Sequence, residues 1–350
     1  MELETKEKTD IKSLTYEQLE EYMLSRGEKK YRAGQLFEWM HKHLASSIDE
    51  MANLPKTLRE SLKEECVYTA AKVEKRQISK ADGTQKFLFS MADGQMIESV
   101  FMPYQHGNSV CISSQAGCRM GCAFCASAIG GLVRNLTPAE MLEQIYEITR
   151  QTGERVSNIV VMGTGEPLDN YVNLLTFINL VSHEKGLNIS RRNITVSTCG
   201  LVDKIGQLAE ENLPITLAIS LHAVTDEKRR ELMPIARRYS IDELLTAAGA
   251  YGKKTGRRVT LEYSLIAGKN DTKEDAQLLA AHAKRIGAHV NLIPVNPVTE
   301  TGLQPPDLKA VERFSDRLEK EHANVTVRRR LGADIDAACG QLRRRAAAGL

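Results

Sequence analysis

Six short runs rich in β-branched residues recur from residue 109 onward, with amphipathic helical stretches between them. They are Ser109–Ser113, Asn158–Met162, Asn193–Ser197, Ile215–Leu221, Arg258–Leu265 and His289–Val295. Strands separated by a helical stretch pair in parallel through crossovers, because the spacing is too long for hairpins. This rhythm predicts a parallel α/β sheet, as an open sheet or a partial barrel, with chemistry at the C-terminal ends of the strands. Thr137-Pro-Ala-Glu140 is a capping box with proline at the first helical position. It opens a helix carrying Leu142, Ile145 and Ile148 on one face.

Upstream, the texture differs. Leu14 to Leu24, Arg32 to Leu44 and Leu58 to Cys66 carry apolar residues at helical spacing, with Pro55 between the last two. Ala71 to Met102 is β-prone, and Asp82-Gly83 and Asp93-Gly94 are hairpin-turn signals. The expected organisation is a helical accessory domain (1–66), a short β extension (67–103), a core (104–327) and a C-terminal segment (328–350).

Charge does not announce a partner. Lys plus Arg number 47 against 45 Asp plus Glu, a net +2, so any polyanion site must be local. Met1 to Asp10 are charged and polar, and no apolar run approaches the roughly 18 residues of a membrane helix. A cytoplasmic protein without membrane contact is expected. Its seven cysteines then point to metal binding or catalysis rather than to a disulfide framework.

Three of them follow the first strand of the series directly, in Cys118-Arg-Met-Gly-Cys122-Ala-Phe-Cys125. Thiolates at spacings of four and three can reach one metal centre from a single loop, and they suit an iron–sulfur cluster or zinc. Structural zinc would need a fourth ligand. Cys111 is a candidate, although it lies inside the preceding strand. Three ligands on a four-iron cluster leave one iron open to substrate. At the end of the second strand lies Met162-Gly-Thr-Gly165-Glu166-Pro167. Its glycines allow close backbone approach, and Glu166 can accept from an ammonium or a ribose hydroxyl.

A C-x-x-x-C-x-x-C loop followed by a Gly-Glu-Pro strand end resembles the radical S-adenosylmethionine (SAM) signature. The likeness extends over nearly the whole chain. It takes in Lys30-Tyr-Arg-Ala33 and Asn53-Leu-Pro55, Ile194-Thr-Val-Ser197-Thr-Cys-Gly200, Ser220-Leu221-His222, Asn291-Leu-Ile-Pro-Val-Asn296-Pro297, and the terminal Ala338-Cys339-Gly-Gln-Leu342. With these segments the chain resembles the RlmN family of dual-specificity RNA methyltransferases. Thr164 stands where methionine is common and Cys199 where serine is common. Neither departure is expected to touch a ligand.

The resemblance implies a partial (βα)6 TIM-like barrel in which Cys118, Cys122 and Cys125 hold a 4Fe–4S cluster. Gly165, Glu166, Pro167, Ser197, Ser220, Leu221, His222 and Asn296 would bind SAM, two molecules per turnover. Cys339 would carry the methyl group, Cys111 would be its disulfide partner, and Glu98 a proton acceptor. Read from its own residues, Glu98 is equally an exposed strand position. The implied reaction is methylation of adenosine C2 in 23S rRNA and, in tRNA, of the adenosine 3′ of the anticodon. C2 is electrophilic and cannot attack the SAM methyl, so a thiolate relay and a radical step are needed. A reduced flavodoxin or ferredoxin is the implied electron donor, and a monomer is expected. Arg328-Arg329-Arg330 and Arg343-Arg344-Arg345 bracket Cys339 and suit phosphate contacts beside a flipped base; a solvated charged tail is the other reading. Two rivals remain. A Cfr-type C8 methyltransferase tends to have alanine, not Pro167, after the glutamate. A zinc-stabilised, non-catalytic RNA-binding protein is the rival from another class.

Overall fold

The computed structural model describes residues 8–296, 302–329, 331–332, 334–335 and 342–343. The chain opens with β1 (Thr9–Asp10), α1 (Tyr16–Ser25), α2 (Tyr31–His41), α3 (Lys56–Glu65) and β2 (Cys66–Val67). Thr15 and Gln18 form a reciprocal capping box that starts α1. On α2, Ala33, Leu36, Phe37 and Met40 are fully buried, the three- and four-residue spacing of one helical face. β1 and β2 pair in parallel, tying the two ends of the helical region together.

Next come β3 (Lys72–Ile78), β4 (Gln85–Ser90) and β5 (Met96–Met102), an antiparallel meander. Both expected turns form, with Gly83 at φ +74° and Gly94 at φ +79°, left-handed positions that favour glycine. β5 then pairs antiparallel with β6 (Asn108–Cys111). The β extension therefore continues the core sheet rather than forming a sheet of its own.

Beyond β6 a small hairpin, β7 (Gln115–Gly117) and β8 (Leu132–Asn135), flanks the cysteine loop. The series follows as α4 (Pro138–Thr152), β9 (Val156–Val161), α5 (Tyr171–Ser182), β10 (Ile194–Thr198), α6 (Val202–Glu210) and β11 (Thr216–Ser220). It continues with α7 (Asp226–Leu232), α8 (Ile241–Thr255), β12 (Thr260–Leu265), α9 (Lys273–Ile286), β13 (His289–Pro294), α10 (Leu308–Lys320) and β14 (Asn324–Val327). Among the described residues the main sheet has ten strands in the order β14-β13-β12-β11-β10-β9-β6-β5-β4-β3.

The strands from β6 to β14 run parallel and form a partial barrel, because β14 and β3 are outer edges that do not pair. The six expected strands all form, as β6 and β9 to β13, and a seventh, β14, extends the parallel part of the main sheet among the described residues. The extra one, β14, is the four-residue segment Asn324-Val-Thr-Val. It is too short to stand out by pattern but is held by register with β13 from His289↔Asn324 to Leu292↔Val327. Val110, Ile159, Val196, Leu217, Leu261 and Val290 are buried to 1% exposure or less and form the strand contribution to the core. The capping box of α4 forms as read, and Gly153 ends that helix in the left-handed region.

Candidate active site

The cysteine loop is held from both sides. Cys118 N–H donates to the Gly131 carbonyl (2.9 Å) at the base of the β7–β8 hairpin, and Ala123 N–H donates to the Leu232 carbonyl (2.9 Å) at the end of α7. Cys118, Cys122 and Cys125 all line one cavity of about 260 Å³ at the C-terminal ends of the strands. Burial pushes the Cys118 thiol up to about 11, and the nearby Cys125 thiol and the Glu166 and Asp169 carboxyls add to the shift. Cys122 is raised further, again by burial and then by its two neighbouring thiols. Three thiols crowded out of water become stable thiolates when a cationic centre binds them. Soft sulfur donors of this kind fit the irons of a 4Fe–4S cluster.

The Gly-Thr-Gly segment shows why glycine is needed at the end of β9. A Cβ on Gly163 would lie 2.7 Å from the Ile112 carbonyl oxygen, and one on Gly165 (φ +114°) would lie 2.7 Å from Gln115 Cβ. Both glycines let this loop press against the strand feeding the cysteines. Gln115 locks the contact, accepting from Glu166 N–H (2.8 Å) while donating to Asn135 (2.8 Å) and Asp169 (3.0 Å). Glu166 spends both carboxylate oxygens on backbone, accepting from Leu168 N–H (3.0 Å) and Cys199 N–H (2.7 Å). It thereby joins the ends of β9 and β10. Cys199 thus touches an expected ligand and lines the cavity, which corrects the expectation that this departure stays clear of the site. Thr164 is buried with its hydroxyl 3.4 Å from that of Ser127 on the cysteine loop.

Gly165, Glu166, Pro167, Ser197, Ser220, His222 and Asn296 all line the same cavity as the three cysteines. The Ser197 and Ser220 hydroxyls lie 3.3 Å apart. Leu221 is different. Its side chain is fully buried in the core, outside the lining, and its N–H donates to the Glu262 carbonyl (3.0 Å). His222 Nδ1 accepts from Ser264 N–H (2.8 Å), which places the proton on Nε2. Burial, then Arg229, pushes its pKa down to about 3, so the ring is neutral. Its left-handed backbone (φ +55°) is braced by Asn270, whose Nδ2 donates to the carbonyls of His222 (2.8 Å) and Ser264 (2.7 Å).

Sequence reasoning missed Glu262, Asn270 and Arg229. Glu262 lines the cavity at 4% exposure, and the available signal was one acidic residue inside an otherwise uncharged strand. Asn270 looks like ordinary turn chemistry in Ala267-Gly-Lys-Asn270, and Arg229 like a surface residue of a charged helix.

Cys111 does not line this cavity. It packs with Val100 and Met102, against which Val160, Met162 and Leu331 rest. Val100 pairs directly with Cys111 across β5 and β6, so Glu98, two residues along, shares their face. Glu98 is 4% exposed and pairs with the buried Lys86 (2.9 Å), so it is not an exposed strand position. It also accepts from Arg343 N–H. Asp334 accepts from the Ser79 hydroxyl (2.6 Å) and Lys80 N–H (2.8 Å), and Asp82 from Gly332 N–H (2.8 Å). Cys339 lies outside the described residues, as do Arg330, Arg344 and Arg345. Arg328 lines the cavity near Glu262.

A cysteine loop after the first strand, with glycine, serine and histidine at the following strand ends, defines a radical SAM enzyme. The radical SAM superfamily matches residues 112–280, and the family described as ribosomal RNA large subunit methyltransferase N-terminal domain matches residues 9–67. The chain is 56% identical to a probable dual-specificity RNA methyltransferase RlmN of Lachnospira eligens, covering 96% of each. It is 53% identical to the protein of the same description from Lachnoclostridium phytofermentans, covering 97% of this chain and 95% of that one. A crystal structure of a radical SAM methyltransferase from Sphaerobacter thermophilus superposes with a TM-score of 0.91 at 42% identity, covering 95% of this chain and 98% of that one. The chain belongs to the RlmN family. Among the described residues no helix is long and apolar enough to cross a membrane.

Proposed function

We infer that this RNA methyltransferase methylates C2 of an adenosine in 23S rRNA and of the adenosine 3′ of the anticodon in tRNA. The observation that carries this is the pairing of two neighbouring sites on one chain. One is the cavity lined by Cys118, Cys122, Cys125 and the strand ends; the other is Cys111 beside Glu98, against which the C-terminal segment docks. Cys118, Cys122 and Cys125 would hold the 4Fe–4S cluster. Gly165, Glu166, Pro167, Ser197, Ser220, His222 and Asn296 would bind SAM, and Leu221 would act only by shaping its strand end. Bound there, cluster and SAM supply radical chemistry that removes hydrogen from an unactivated C–H bond.

The chain's own thiols do the rest. Cys339 takes and carries the methyl group; the Cys111 thiolate then attacks the Cys339 sulfur, the S–C bond to the RNA-bound carbon breaks as the S–S bond forms, and that carbon leaves with the electron pair and takes a proton, freeing the RNA. Supporting this pairing, residues on both sides of 336–341 are tied to the β extension. Leu331 rests on the Cys111 cluster and Asp334 binds Ser79, while Arg343 N–H reaches Glu98. Glu98, on the same face as Cys111, would hold a proton there. Arg328 and Arg329 face the RNA phosphates. The enzyme acts as a cytoplasmic monomer and takes electrons from a reduced flavodoxin or ferredoxin.

The relay is tested with Cys111→Ala and Cys339→Ala proteins purified from cells and run on denaturing gels, with and without nuclease. A nuclease-sensitive shifted band is expected for the first and none for the second. Neither or both carrying RNA defeats the relay. Chromatography of product nucleosides should give 2-methyladenosine; a predominance of 8-methyladenosine moves the chain to the Cfr type.

A further inference from the structure

Three cationic side chains among the described residues are fully buried: Lys12, Lys86 and Arg229. The first two face a carboxylate, at 2.5 Å from Glu143 and 2.9 Å from Glu98. Among the described residues, Arg229 has no carboxylate in ion-pair range. Its Nε donates to the Leu221 carbonyl (3.2 Å), and its Nη2 to the carbonyls of Cys199 (2.6 Å) and Ser220 (3.3 Å). Its Nη1 is buried without a hydrogen-bond partner among the described residues.

A buried, uncompensated guanidinium is costly and needs a reason. Three carbonyls alone do not supply one, since a neutral donor would satisfy them without bringing a charge inside. The nearby ionisable groups include the Cys199 and Cys122 thiols, the Asp226 carboxyl and the neutral His222 ring. Arg229 lies on α7, whose last carbonyl, that of Leu232, holds the cysteine loop at Ala123. The next residue, Met233, lines the cavity. The guanidinium therefore sits behind the cavity wall, on the side of Cys122 and of the β10 and β11 ends.

We propose that Arg229 is the counter-charge of the cysteine loop: its fixed positive charge offsets the thiolate ligands and sets how readily the bound cluster accepts an electron. It is a positioning residue, since it touches neither cavity nor thiol. The proposal rests on the reading of Cys118, Cys122 and Cys125 as cluster ligands. Charge, burial and hydrogen bonds around a cluster set its reduction potential, and a nearby positive charge favours the more negative, reduced state. The electron comes from an external low-potential donor, one per cluster.

The test compares parent, Arg229→Gln and Arg229→Lys proteins, reconstituted anaerobically to equal iron and sulfide content. Each is poised with dithionite and mediators, and the reduced cluster is counted by electron paramagnetic resonance. At a given ambient potential the reduced-to-oxidised ratio of Arg229→Gln should fall about tenfold, the order of effect of one charge at about 10 Å in a dielectric of about 20. For a one-electron couple that is 59 mV. Arg229→Lys keeps the charge but loses the fork, and should stay within about twofold of the parent. A role confined to tying the three carbonyls would instead affect both variants alike. Should Arg229→Gln fail to load, Arg229→Lys decides: an unshifted ratio supports the proposal and a tenfold fall overturns it. An unshifted, fully loaded Arg229→Gln overturns the Arg229 assignment alone. A parent protein that takes up no iron overturns the cluster reading itself, and the proposal with it.

Discussion

Two buried polar regions of this molecule follow opposite rules. Where the N-terminal helices meet the barrel, Lys12 and Glu143 are both fully buried at 2.5 Å, and Arg150 also binds Glu143 at 2.8 Å. Lys12 further donates to the Thr69 carbonyl (2.7 Å) and lies 3.8 Å from the centre of the Tyr68 ring. Charge is closed on itself there. At the cavity, no cationic side chain pairs with Glu166 or Glu262 among the described residues: Glu166 accepts from the Leu168 and Cys199 N–H groups and from the Thr198 side chain, Glu262 accepts from Asn291 (2.8 Å), and Arg229 donates to carbonyls. The junction matches its full charges within the protein, although Asp10 Oδ1 and His41 Nε2 there are buried without a hydrogen-bond partner among the described residues; the cavity keeps charge for something that binds. Matched buried pairs join parts of a fold, whereas unmatched ones mark where a charged group is received.

The largest effect should come from breaking the cavity at its ligands. Cys118→Ala, Cys122→Ala or Cys125→Ala is expected to abolish cluster uptake and all methylation, with no spare cysteine in the loop. Iron and sulfide analysis after anaerobic purification measures it. A variant that binds a full complement and still methylates RNA removes the cavity from the comparison.

Second in size is the junction. Glu143→Gln leaves Lys12 buried beside a neutral partner and should cost about 3–5 kcal/mol of folding stability. Denaturant unfolding reads the loss, and iron content per folded molecule should be unchanged. If stability is unaltered, the junction is not the closed unit described here.

What could be read beforehand follows the same division. The barrel rhythm, the α4 cap, both hairpin glycines and the cysteine loop carry local patterns, because strand period, cap chemistry and turn handedness each involve a few adjacent residues. β14 escaped because four residues hold too little pattern. The support around the site escaped because its partners are distant in sequence: Arg229 binds Cys199 and Glu166 binds Gln115, 30 and 51 positions away. Even the resemblance could not show that Leu221 turns into the core, since a residue beside two cavity-lining ones looks no different in the chain.

Third, the two regions should agree in one respect, since each buries a neutral histidine. His41, within 2.7 Å of the Tyr146 hydroxyl, and His222 are both held at a pKa of about 3, chiefly by burial, against 6.5 in the unfolded chain. As pH falls through 6.5 the unfolded state takes up protons that the folded state refuses. Stability is therefore present above pH 6.5 and is lost progressively down to about pH 3. Each histidine should cost roughly 2 kcal/mol between pH 7 and pH 5. His41→Gln should flatten the measured pH dependence by that amount, and His222→Gln by the same. A flattening in only one of them would show that the other ring is not buried neutral.

The smallest effect has the most informative sign. Glu262→Gln makes at the cavity the same change that Glu143→Gln makes at the junction: a buried carboxylate becomes an amide of nearly the same shape. Burial raises the Glu262 pKa, Asn291 donates to its Oε2, and Arg328 acts on it only from a distance. Removing its charge strands no buried cation. It also removes a desolvation cost, so stability should be unchanged or higher by up to about 1 kcal/mol. The flanking geometry is preserved if the amide is oriented with its oxygen toward Asn291 Nδ2. Denaturant midpoints of the two glutamine variants, measured side by side on the full chain, should therefore move apart, Glu143→Gln down and Glu262→Gln level or up. If Glu262→Gln falls as far as Glu143→Gln, then Glu262 is a closed structural charge like those at the junction, and the cavity holds one fewer group for its ligand.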